Sequence, residues 1–242
     1  MAVHFDRSLG FSTGIIQDDG GVIQTFPFTY ACWFDAEQFD VNRRLMGQGG
    51  PDYSHEATML LSGGISTGKV WAKVEGGGSF YSETTDSFTF GSGGGGSSGT
   101  WYHAGAVFGG SGGTCTSITP YLNGIAGPTV TGSATPTLTR ITIIGGVPAD
   151  TSSYGYRGCM AKNVFFNTAL SSDQFLRLYN GESPTSVASG NVVAYLKLTD
   201  EPTAEVDSIG GFTWIRFESG DGLTTCINAP TSGGSSFVRI MG

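Results

Sequence analysis

What most restricts this chain is the two-residue rhythm of its apolar positions, cut into short runs by glycine. In Lys69–Glu75 (KVWAKVE), Val70, Ala72 and Val74 fall on one side, and Lys69, Trp71, Lys73 and Glu75 on the other. Successive side chains of a strand point to opposite faces, so this is the pattern of a half-buried strand. Strand-like runs recur at Ala2–Asp6, Val22–Asp35, Arg43–Gln48, Thr58–Ser62, Ser79–Glu83, Ser87–Phe90, Trp101–Gly109 and Cys115–Leu122. They continue at Leu138–Gly145, Tyr156–Asn167, Val192–Leu198, Phe212–Phe217 and Phe237–Met241. Glycine supplies 40 of 242 residues, which suits many tight turns and few long helices. Gly91–Thr100 (GSGGGGSSGT) reads as a hairpin tip, because it lacks the Lys-Ser/Thr of a phosphate-binding loop.

One helix is predicted, at about Ser172–Asn180. Ser171 is placed as an N-cap, with Gln174 three residues on, which is the reciprocal capping-box pattern. Phe175, Leu178 and Tyr179 make one apolar face, Asp173 suits the positive end of the helix dipole, and Gly181 followed by Pro184 ends it. About a dozen strands and one short helix predict an all-β fold, with two antiparallel sheets stacked so that alternate faces are buried.

Composition removes several classes of function. Twelve basic residues against 20 acidic ones leave a net charge of −8, a poor match to a phosphate backbone, so no nucleic-acid partner is expected. No run of about 18 apolar residues exists, so no membrane insertion is expected. Met1–Arg7 lacks the apolar core of a signal peptide, and none is expected. Cys32, Cys115, Cys159 and Cys226 lie far apart, without metal-knuckle spacing. They are expected to be free, mostly buried thiols, with Cys32 on the face of Phe28, Tyr30 and Phe34. No cofactor or metal site is predicted.

Tyr156–Asn180 (YRGCMAKNVFFNTALSSDQFLRLYN) resembles, without a gap, the C-terminal signature of laminin-G-like, concanavalin A-like jelly-roll domains. That signature runs aromatic-x-G-x-I-D-E-V-R-I-Y-N-x-A-L-S and closes with a short helix ending L-Y-N. Phe28–Phe34 (FTYACWF), Trp101–Phe108 (WYHAGAVF) and Tyr121–Gly124 (YLNG) resemble three further segments of the family. Val193–Gly211 (VAYLKLTDEPTAEVDSIGG) resembles a segment that often opens such domains, yet here it follows the helix. The resemblance implies one jelly-roll sandwich over residues 1–242, with residues 192–242 returning to complete it. Two departures argue against the family's calcium site. Its acidic pair is Ala161-Lys162 here, and an acidic position after the Trp101–Phe108 strand is Gly109.

Catalysis is not expected. The fold hosts glycan-cleaving enzymes, but a retaining pair needs two carboxylates about 5 Å apart, and no E-x-D run supplies them on one strand. His103 is expected to be a hydrogen-bonded structural residue. Trp71, among charges on a solvated strand face, is the strongest predicted contact residue, with Tyr81 and Tyr53 as companions; it suits a sugar ring or a protein interface. The expectation is therefore a non-enzymatic surface-interaction module of a bacteriophage particle, acting in capsid decoration or adhesion. Its partners would be a protein shell, its own copies, or surface glycans. The alternatives are a secreted or cell-surface lectin and a polysaccharide-cleaving enzyme.

Overall fold

The computed structural model describes residues 3–5, 14–17, 20–37, 41–49, 55–63, 67–90, 100–139, 141–146, 155–198, 204–217 and 224–225. Two large antiparallel sheets face each other, as the strand pattern predicts. The first runs, neighbour to neighbour, Ile125–Ala126, Thr114–Leu122, Tyr102–Gly112, Phe26–Ala36, Gly158–Phe166, Val3–Phe5 and Thr224–Thr225. Val130–Ala134 also pairs with Thr114–Leu122, and Val192–Leu196 with Gly158–Phe166. The second sheet runs Ala204–Val206, Thr213–Phe217, Gly14–Gln17, Ile141–Ile144, Arg43–Gly49, Glu56–Leu61, Val70–Glu75 and Ser79–Glu83. Strands beyond Val192 thus join both sheets. The predicted strand at Phe237–Met241 lies outside the described residues.

Aromatic side chains fill the space between the sheets. Phe28 stacks on Phe108 at 4.8 Å, Tyr30 meets Phe165 edge-on at 5.3 Å, and Phe34 meets Phe88 edge-on at 5.0 Å. Each is fully buried, which contributes about 1.5–3 kcal/mol per side chain relative to exposure. Alternation holds on Val70–Glu75, where Val70, Ala72 and Val74 enter this core and Trp71, Lys73 and Glu75 do not.

The predicted helix spans Ser172–Tyr179. Both capping-box bonds form: Gln174 N–H donates to Ser171 Oγ, and Ser171 N–H donates to Gln174 Oε1. Gly181, at φ 89°, ends the helix in a left-handed turn, with the Glu182 and Gly181 amides donating to the carbonyls of Arg177 and Leu178. Phe175 and Leu178 pack against the outer face of the first sheet. Phe175 lies flat on Tyr121, with ring centroids 3.8 Å apart. Gly105 makes this approach possible, because a Cβ there would sit 2.0 Å from the Phe175 ring. A second helical turn, Pro184–Val187, corrects the expectation of a single helix; four residues are too few for an apolar periodicity to show.

Cys32 and Cys115 are buried free thiols, as expected. Cys159 corrects that expectation: it is disulfide-bonded, and its partner lies outside the described residues.

Two stability measurements check this fold. Leu178→Ala should cost about 2–5 kcal/mol in denaturant melts, because it empties the centre of the helix–sheet contact. Dithiothreitol should lower the melting temperature by several degrees, since a native disulfide typically contributes about 2–4 kcal/mol.

Candidate functional site

Helix packs on the outer face of the first sheet, and the outward face of the second sheet, buried at Arg44, Leu60, Thr58 and Glu56, opens to solvent along Val70–Glu75 and Ser79–Glu83. Strand register arranges that face in rows. Arg44, Leu60, Trp71 and Glu83 lie side by side; the next row is Gly47, Thr58, Lys73 and Tyr81, and beyond it Gly49 pairs with Glu56 and Glu75 with Ser79. Trp71 and Tyr81 are therefore diagonal neighbours on adjacent strands, within reach of large aromatic side chains. Their rings stack with centroids 5.1 Å apart and planes inclined by 16°. Tyr81 is 55% exposed, whereas Trp71 is partly buried. Among the described residues the Trp71 indole N–H has no acceptor.

Ion pairs flank the two rings. Lys69 Nζ lies 3.0 Å from Glu83 Oε1, and Lys73 Nζ lies 2.5 Å from Glu75 Oε2. Deeper in the same face, Arg44 Nη2 lies 2.5 Å from Glu56 Oε2, and both side chains are buried. Burial raises the Glu56 carboxyl above the usual carboxylate range, and Arg44 opposes that shift. The structure thus unites two of the three predicted contact residues, Trp71 and Tyr81. Tyr53 lies outside the described residues.

Glu75 was expected on the Trp71 face, but Arg44 and Glu56 were not anticipated there. Alternation in Glu56–Leu61 sends Ala57, Met59 and Leu61 inward, which was legible and would have turned Glu56 outward. That Glu56 feels the charges of Lys73 and Glu75 depends on strand pairing, which single-strand patterns do not carry. Among the described residues no group of three or more His, Cys, Asp or Glu is placed to hold a metal ion.

The opposite face holds His103, in register with Trp33 beneath the helix. Its ring lies 5.2 Å from Trp33 and 6.4 Å from both Phe175 and Tyr179. Burial, aided by the positive charge of Lys162, holds its pKa down to about 3. The expected side-chain hydrogen bond is missing at Nδ1, which is buried without a partner among the described residues.

Similarity to known proteins agrees with this architecture. The profile described as Concanavalin A-like lectin/glucanases superfamily matches residues 11–175, more than half of the chain. The chain belongs to this superfamily. As a concanavalin A-like domain, it resembles in fold a Bacteroides ovatus protein designated carbohydrate-binding, with a TM-score of 0.63 and 16% identity. That match covers 95% of this chain, which spans 60% of the B. ovatus protein's length. A heptameric SAP-like pentraxin from Limulus polyphemus matches with a TM-score of 0.61 and 12% identity, over 88% of this chain and 94% of that one. Domain 4 of an extracellular arabinanase from Geobacillus stearothermophilus, solved with arabinotriose, matches at 0.52 with 14% identity, over 73% and 81% respectively. No curated protein matches the chain.

Neutral, buried His103 makes the concanavalin A-like domain sensitive to acid. Between the ordinary histidine pKa of 6.5 and the folded value of about 3, the unfolded chain binds a proton that the folded chain refuses. The contribution is complete above about pH 6.5 and is lost progressively as pH falls toward 3. From pH 7 to 4.5 the parent should lose about 2 kcal/mol more than His103→Phe in denaturant melts.

Proposed function

We propose that this chain is a non-enzymatic glycan-binding module that holds sugar rings against the Trp71–Tyr81 pair. The observation that carries the reading is the near-parallel stack of half-buried Trp71 on exposed Tyr81, on the last two strands of the second sheet. An aromatic face suits the C–H face of a sugar, and the flanking Lys69, Glu83, Lys73 and Glu75 suit its hydroxyls. Membership of a lectin/glucanase superfamily and the fold shared with an arabinotriose-bound domain support it. Trp71→Ala should weaken binding on a glycan array and in calorimetry by about thirtyfold, the usual cost of removing an anchor, while the fold remains intact. Unchanged affinity for every bound glycan would refute the assignment of this face.

One observation favours a polysaccharide-cleaving reading. Glu56, on the face that carries the aromatic pair, has its carboxyl pKa raised by burial, with the charge of Glu75 adding to the shift. A general acid needs such a shift, although Arg44 and Lys73 engage these carboxylates. Reducing-sugar release that Glu56→Gln abolishes would replace the binding-module reading with this one.

The setting is proposed to be a virus particle or the extracellular space, with a protein shell or further copies of the chain as partner. The disulfide at Cys159 supports a working place outside the reducing cytosol.

A further inference from the structure

The chain has only four lysines, and the structure sorts them into two contrasting pairs. Lys69 and Lys73 are each neutralised by a glutamate on the second sheet. Lys162 and Lys197 line a cavity of about 300 Å³ on the other side of the sandwich, between the first sheet and the helix layer. Among the described residues neither has a carboxylate within ion-pairing distance. The carboxylate at the rim, Glu182, is already held in a two-pronged contact by Arg177, at 3.1 Å to Nε and 2.8 Å to Nη2. Among the described residues, the cavity therefore presents two lysines without an ion-pair partner.

Its construction is specific. Ala161 pairs with Trp33 and Val164 with Ala31, so Lys162 and Asn163 together oppose Cys32. This bulge re-aims a side chain, and it leaves Lys162 at φ 51°, in the left-handed region that residues other than glycine enter at a cost. Such strain clusters at ligand sites. Trp33 and His103 also line the cavity; both are about 3% exposed, and His103 brings the partnerless Nδ1. Tyr195 and Ser183 add hydroxyl groups to the wall.

We propose that this cavity binds an acidic monosaccharide unit, with its carboxylate between Lys162 and Lys197 and its ring toward Trp33, His103 and Tyr195. Two ammonium groups suit an anion. The volume, at the small end of ligand pockets, accommodates far more than an isolated carboxylate, and the aromatic and hydroxyl lining suits a hydroxylated ring. The site lies on the opposite face from Trp71 and does not rest on the reading of that face.

The test is titration of the full chain with sodium glucuronate, glucose, sodium acetate and inorganic phosphate, followed by calorimetry and by the imidazole NMR signals of His103. Glucuronate should bind and move those signals, with glucose and acetate at least tenfold weaker. Lys197→Gln, at an exposed rim position, and Lys162→Asn, which tolerates a left-handed backbone, should each weaken glucuronate about tenfold. Trp71→Ala should retain it. The proposal is overturned if glucose matches glucuronate, if acetate or phosphate binds more tightly, or if Lys197→Gln binds like the parent. Loss in Trp71→Ala with retention in Lys197→Gln would place the ligand on the other face and overturn it equally.

Discussion

The strand Phe26–Ala36 is committed on both of its faces, and the rest of the molecule is arranged around that commitment. Inward, Phe28, Tyr30 and Phe34 stack with Phe108, Phe165 and Phe88. Outward, Ala31 packs within the helix-side cluster and Trp33 stacks on Tyr179. Thr29 Oγ1 donates to the Thr168 carbonyl and accepts from the Leu170 amide, which fixes the approach to the helix. A strand buried on both sides has no room for polar alternation, and its sequence FPFTYACWFDA shows almost none.

With the first sheet covered by helix, the two faces of the sandwich take different roles. On the second sheet, charge is balanced locally: Lys69 with Glu83, Lys73 with Glu75, and the buried Arg44 with Glu56. A buried pair of this kind is weak support for stability, because desolvation offsets its attraction, but it holds its members in one geometry. The aromatic pair beside it is thus presented on a surface of fixed charges. On the helix side the balance is left open, at Lys162 and Lys197, where a strand bulge interrupts otherwise regular pairing. Compensated charge around a stacked aromatic pair suits neutral, stacking ligands, and uncompensated charge in a cavity suits anions.

What the amino-acid sequence determined by itself was local. Alternation in Val70–Glu75 set which side chains enter the core, because strand geometry alone turns neighbours to opposite faces. Ser171, Gln174 and Gly181 bounded the helix, because caps act within a few residues of the groups they satisfy. The motifs around Tyr156–Asn180 pointed to the superfamily. The tertiary structure alone decided which strands become neighbours and in what register. That placed Trp71 against Tyr81, Glu56 within reach of the Glu75 charge, and His103 near the distant Lys162 and Lys197. It also decided that Cys159 is oxidised while Cys32 and Cys115 stay free, since four cysteines allow several pairings and their spacing in the chain does not select among them. The physical reason is common to all of these: pairing across a sheet depends on backbone hydrogen bonds between distant segments, which no local pattern of side chains encodes.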